Sequence, residues 1–260
     1  SHVDLQKDGA APVAPSALRP ATQVFVNNSF EDASEPRALE LGELPGIVND
    51  FRQAAANAIA AGFDGVEVHA ANGYLLDQFI QDGANARTDA YGGSIENRAR
   101  LLLEVTAAVC AEIGGDRVGI RLSPVTPAND ASDPNPQPLF EHVVRQLAPL
   151  GLAYVHVIEG QTGGARDFQQ GHAPFDYAAL RAAYLAAGGQ GAWMVNNGYD
   201  LALANQAVAN GADVVAFGRP FISNPDLVQR LRVGGPFNEP DRNTFYGGGA
   251  QGYTDYPTLG

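Results

Sequence analysis

At 260 residues, 45% of them hydrophobic, the chain is long enough to bury a sizeable core in one large domain or two small ones. Sixteen Lys and Arg against 29 Asp and Glu leave a net charge of −13, which repels phosphate backbones and anionic lipid headgroups and argues against nucleic acid or an acidic membrane as partner. Cys110 is the one cysteine, which excludes an intrachain disulfide and any cluster that needs several thiolates from this chain, and fits a reducing compartment.

Residues 1 to about 43 carry Pro12, Pro15, Pro20 and Pro36 around one β-branched run, Gln23-Val24-Phe25-Val26, and read as a long loop with a small strand. A helix is predicted over 44–61, because Ile47, Phe51, Ala54, Ala55, Ala58 and Ile59 recur at helical spacing and Gly62 closes it. From there a unit repeats: a short apolar run ending in a polar cluster, a stretch of helical period, then glycine. The apolar runs are 65–69, 118–122, 154–158, 193–197 and 214–218. Helical stretches are predicted at about 95–113, 139–150, 177–187, 201–210 and 225–233, the last with Asn224 as cap and Pro225 in first position.

Strands alternating with helices imply parallel pairing, and no linker or charge block interrupts them. The expectation is one α/β domain over residues 1–260: a (β/α)8 TIM barrel of which only the later five βα units are present. An open doubly wound sheet is the runner-up, but its phosphate-cradling glycine signatures are absent. Five units leave strand edges and an inner face exposed, so the chain is expected to be incomplete at its amino end.

Parallel barrels gather their reactive groups at the carboxyl ends of the strands. In Gly65-Val66-Glu67-Val68-His69 the valines share one face, and Glu67 and His69 the other. His69 then points to the barrel mouth, with Asn72 and Tyr74 just beyond. An imidazole and an amide can both donate to one carbonyl oxygen while a phenol supplies a proton, which suits activation of an electron-poor alkene. The plainer alternative has His69 and Asn72 satisfying loop backbone and Tyr74 packing its ring.

Arg121 falls on the face opposite Val118, Ile120 and Leu122, where a guanidinium needs an anion or an electron-rich ring atom; Glu67 is the structural alternative. Near the end, Asn196-Asn197-Gly198 and Phe217-Gly218-Arg219-Pro220 follow the last two strands, where barrels commonly bind phosphate. Gly198, Gly218 and Arg219 are placed for that, unless Gly198 merely makes a turn and Arg219 is a solvated charge. Ser94 reads as an N-cap with Asn97 and Arg98 in the first helical turn.

Paired-cysteine, His-Glu-x-x-His and Gly-x-Ser-x-Gly patterns are missing, so no metal site and no serine nucleophile are expected; His2, His142, His156 and His172 have no ligand-like partners in sequence. No stretch approaches the roughly 18 apolar residues of a membrane span, and Ser1-His2-Val3-Asp4 opens no basic leader. The expected setting is cytoplasmic.

Five motifs, in order along nearly the whole chain, resemble the Old Yellow Enzyme family of FMN-dependent ene reductases. They are His69-Ala70-Ala71-Asn72-Gly73-Tyr74-Leu75, Tyr91-Gly92-Gly93-Ser94-Ile95-Glu96-Asn97-Arg98, Val118-Gly119-Ile120-Arg121-Leu122, Phe217-Gly218-Arg219-Pro220 and Gly252-Tyr253-Thr254-Asp255-Tyr256-Pro257. The resemblance covers the later part of a typical member, which carries three more βα units in front.

The resemblance implies FMN as cofactor, NADPH or NADH as hydride donor, and an enone or nitro compound as substrate. It implies that His69 and Asn72 hold the substrate oxygen, with Tyr74 as proton donor and Arg121 by the flavin pyrimidine edge. Gly198, Gly218 and Arg219 would hold the FMN phosphate, Phe245 would lie near the flavin and Tyr246 near the substrate. The polar, proline-rich stretch 125–138 reads as a substrate-side loop. The alternatives are a phosphate-binding barrel isomerase or lyase without flavin, and a non-catalytic fragment that needs a partner chain.

Overall fold

The computed structural model describes residues 1–246 and 249–260. Its amino-terminal stretch holds more order than a loop with one strand. β1 (Val13–Ala14) pairs in parallel with β4 (Arg37–Ala38), and between them β2 (Gln23–Val26) and β3 (Ser29–Asp32) form an antiparallel hairpin. Asn27 and Asn28 both have positive φ, 51° and 62°, the conformation a two-residue hairpin turn needs. β3 escapes the sequence because all four of its residues are exposed, so it has no apolar alternation.

α1 (Leu44–Ala60) precedes the repeating part. There β5 (Val66–Ala70), α2 (Leu75–Ile80), α3 (Ile95–Ile113), β6 (Val118–Leu122), α4 (Pro136–Leu147), β7 (Tyr154–Ile158), α5 (Tyr177–Ala186), β8 (Ala192–Asn196), α6 (Leu201–Ala209), β9 (Val214–Ala216), α7 (Arg219–Ser223) and α8 (Leu227–Val233) follow in order. β5 to β9 make one five-stranded sheet, every pair parallel and in sequence order.

Predicted and observed elements differ where local chemistry overrides period. α4 starts at Pro136 rather than 139, because proline suits a first helical turn, and Pro149 turns its end into a 3-10 segment over Ala148–Leu150. Asn224 does not cap the start of α8: it is the C-cap of α7, its amide donating to the carbonyls of Pro220 (2.7 Å) and Asn238 (3.2 Å), and α8 begins only at Leu227.

The core lies between the sheet and the helices on one of its faces. Val68, Ala70, Ile120, Leu122, Val155, Val157 and Val195 meet Leu101, Leu102 and Val105 of α3 and Leu139, Phe140 and Val143 of α4, all buried. Burying each large side chain is worth about 1.5–3 kcal/mol. Ser94 caps α3, accepting from the Asn97 N–H at 3.3 Å, and Gly114 ends it at φ 91°. Arg98 is buried beside Asp133, with Nη1 to Oδ2 at 2.7 Å, and also donates to the carbonyls of Ile80 and Gly93. It thereby fastens the end of α2 to the start of α3. Among the described residues no helix is long and apolar enough to cross a membrane.

Candidate active site

The register of the sheet sets the first part of the site. On the face away from the core, His69 of β5 lies beside Arg121 of β6, and Arg121 beside His156 of β7. His69 has a pKa below the usual imidazole value, first because burial disfavours its cation and next because Arg121 repels it. It is therefore neutral at pH 7, with one N–H to give.

Glu67 does not pair with Arg121. It takes His156, Oε2 to Nδ1 at 2.8 Å, and the Tyr154 hydroxyl. Between Glu67 on β5 and these two β7 residues stands Gly119, the register partner of both Glu67 and Tyr154. A Cβ there would run into the Tyr154 ring, so glycine is what lets side chains two strands apart meet. Burial alone would raise the Glu67 pKa, but His156, Tyr154 and Arg121 outweigh it and the carboxyl titrates below its usual range. Tyr154 is pushed up to about 12 by burial and the neighbouring carboxylate. Arg121 is left with Asn196, its Nη2 donating to Oδ1 at 2.9 Å, while its Nε is buried without a partner among the described residues.

Beyond β5 the chain turns through Asn72 and Gly73, with φ of 59° and 68°, into α2. The Asn72 N–H donates to Ser123 Oγ at 2.7 Å, its carbonyl accepts from Asn129 of the 125–138 stretch at 3.2 Å, and its Oδ1 accepts from Thr162 Oγ1 at 2.6 Å. Tyr74 is 59% exposed, its ring centroid 5.4 Å from that of His69.

Asp77, fully buried, braces the turn. Its carboxylate accepts from the Gly73 N–H at 2.8 Å, from Gln81 Nε2 at 3.1 Å and from the Ser123 hydroxyl. Burial pushes its pKa up to about 7 against those hydrogen bonds. The folded chain then holds a proton that the unfolded chain releases near pH 4, so this group's share of stability falls as pH rises from about 4 to 7. Asp77→Asn removes the titration. The unfolding free-energy difference, wild type minus variant, is expected to be larger at pH 4.5 than at pH 7.5, and a difference that does not change with pH would exclude Asp77 as the source.

A second part of the site lies at the ends of β8 and β9. A cavity of about 220 Å³ is lined by Arg121, Thr162, Gly163, Asn196, Gly198, Phe217, Gly218 and Arg219. Gly198 has φ 65°, and a Cβ at Gly218 would project into open space. Arg219 Nη2 donates to the Gly163 carbonyl at 3.0 Å. Asn197, buried and at φ 107°, pins the 159–163 loop: its Nδ2 donates to the carbonyls of Glu159 (2.7 Å) and Gln161 (2.9 Å), and its Oδ1 accepts from the Gly163 N–H (3.3 Å).

Four of the residues singled out in the sequence, Arg121, Gly198, Gly218 and Arg219, therefore line one cavity, and Thr162 joins its wall to Asn72. Phe245 and Tyr246 line neither this cavity nor a larger one of about 400 Å³ between α6, α7, α8 and residues 237–242, which Arg219 also lines; Tyr246 is 97% exposed. The larger cavity is mainly apolar and holds neither His69 nor Tyr74. Thr162, Asn196, Asn197, Ser123 and Asp77 were not singled out in the sequence. Among the described residues no group of three or more His, Cys, Asp or Glu could hold a metal ion.

Two guanidiniums reaching one cavity, one with an orphaned Nε, suit a ligand with an anionic end and an electron-rich edge, as FMN has. Comparison with known proteins gives the same direction. The chain is 46% identical over 262 residues to putative 12-oxophytodienoate reductase 5 of Oryza sativa subsp. japonica, covering 98% of this chain and 66% of that protein. It is 45% identical over 265 residues to 12-oxophytodienoate reductase 1 of the same plant, covering 100% of this chain and 66% of that protein.

Among solved structures, morphinone reductase in complex with tetrahydroNAD superposes with a TM-score of 0.89 at 45% identity, covering all of this chain and 70% of that one. The old yellow enzyme homologue from Zymomonas mobilis gives 0.89 at 38% identity, covering 96% and 69%. The chain spans about two thirds of the length of these relatives. Its fold is five consecutive βα units of their TIM barrel. Residues 1–238 match the family model described as NADH:flavin oxidoreductase / NADH oxidase, and with that span and these identities the chain belongs to this family.

Proposed function

We propose that the chain serves an FMN-dependent oxidoreductase that uses NADPH or NADH to reduce activated alkenes, α,β-unsaturated carbonyls above all, or nitro compounds. The observation that carries this reading is the convergence of Arg121, Gly198, Gly218 and Arg219 on one cavity whose wall is hydrogen-bonded to Asn72. FMN, when bound, would accept hydride from the nicotinamide and pass it to the β-carbon of the substrate.

The chain's residues supply what surrounds that transfer. Arg219 and the backbone at Gly198 and Gly218 hold the phosphate; Arg121 offers its charge and its N–H fork to the pyrimidine edge. Neutral His69 and the Asn72 amide donate to the substrate oxygen that becomes an enolate, an interaction strongest as charge develops there. Tyr74 delivers a proton to the α-carbon. Phe245 and Tyr246 are assigned to the flavin and substrate sides on family resemblance. A small-molecule substrate and a cytoplasmic setting complete the reading, in keeping with a charge of −13 and a lone cysteine.

FMN titration followed by quenching of flavin fluorescence tests it. The chain is expected to bind FMN, and Arg219→Ala to raise the dissociation constant by about tenfold or more, the worth of a charge-assisted hydrogen bond. Unchanged affinity would remove Arg219 from the phosphate site, and no binding by the wild-type chain would favour a barrel without flavin.

A further inference from the structure

Among the described residues the guanidinium of Arg121 has one hydrogen bond, Nη2 to Asn196 Oδ1 at 2.9 Å. Asn196 cannot present its amide the other way round. Its second neighbour is the Ala216 carbonyl, 2.9 Å from Nδ2. Arginine only donates and a carbonyl only accepts, so the oxygen of the amide must face Arg121 and its nitrogen must face β9. The register holds this arrangement, since Asn196 and Ala216 are paired directly across β8 and β9.

A guanidinium is a planar fork whose N–H directions are fixed relative to one another, so holding Nη2 also aims Nε. Among the described residues no other anchor competes. His69 and His156, the register neighbours of Arg121, offer it no anion, and Glu67 is committed to His156 and Tyr154.

We infer that Asn196 is a positioning residue: braced by the Ala216 carbonyl, its amide oxygen sets the plane of the Arg121 guanidinium so that the remaining donors face the electron-rich pyrimidine edge of FMN. This rests on the flavin reading above and adds to it the residue that decides how the arginine meets the ring.

The test compares the wild-type chain with Asn196→Leu, branched at the same carbon but without an acceptor. Crystal structures of both free proteins are expected to show the guanidinium turned out of its present plane in the variant. The variant's FMN dissociation constant is expected to rise about tenfold, with a similar fall in the ratio of reduced to oxidised FMN affinity. A guanidinium that stays in place overturns the inference, and so does one that moves while affinity and ratio stay unchanged.

Should the leucine variant not fold, Asn196→Asp keeps the acceptor but offsets the arginine's charge. It also loses the donor to the Ala216 carbonyl, and it is expected to lower the reduced-to-oxidised ratio about tenfold; an unchanged ratio overturns the inference. Wild-type chain that takes up no FMN defeats the functional reading, and the pair of crystal structures then decides the Asn196–Arg121 placement by itself.

Discussion

Tyr74→Phe is expected to slow alkene reduction by the FMN-loaded enzyme by about 10²- to 10⁴-fold, the usual worth of a positioned general acid. Reduction of the flavin by NADPH or NADH should stay within a few-fold of wild type. The substitution removes only the hydroxyl, and the ring beside His69 has the same shape to pack with. Stopped-flow absorbance separates the two half-reactions, and equal losses in both would take the proton-donor role from Tyr74. The pH profile carries a second signature. His69 titrates below the usual imidazole value because of burial and Arg121, so the ring stays neutral as pH falls through 6.5, and any break due to it should come at lower pH.

The largest expected effect on stability is at Asp133. Asp133→Ala leaves the Arg98 guanidinium, 7% exposed, without its carboxylate and deprives the Asn135 N–H of its acceptor at 2.7 Å. Breaking a buried ion pair from one side costs about 3–5 kcal/mol, because the surviving charge stays buried. For a chain of this size that lowers the melting temperature by roughly 10 °C. Chemical denaturation measures it directly, and a loss below about 1 kcal/mol would show that Arg98 finds water or another partner. Replacing both residues, Arg98→Met with Asp133→Leu, should recover much of the loss, since an apolar pair of similar volume leaves no stranded charge.

Much of the fold was legible because β5 to β9 are apolar, are closed by polar residues and alternate with helices of clear period; β6 and β7 have the predicted bounds and α3 agrees at both ends. The short pieces were not. α2 has six residues and α7 five, too few to display a period, and Pro220 inside α7 reads as a breaker rather than as a first-turn residue.

At the site, alternation correctly told which face Glu67 and Arg121 share but not which of their neighbours each would choose. That choice depended on Gly119 leaving room for contacts two strands apart, which no local pattern encodes. The amides of Asn196 and Asn197 were visible as polar residues at a strand end. Their opposite tasks, one toward Arg121 and the other toward the 159–163 loop, follow from backbone carbonyls distant in sequence.

The short segment pinned by Asn197 gives its Thr162 hydroxyl to Asn72 and its Gly163 carbonyl to Arg219. The Asn72 turn after β5 and the Arg219 side chain after β9 thus share a single crosspiece, and the distance between them is set by one short stretch of backbone.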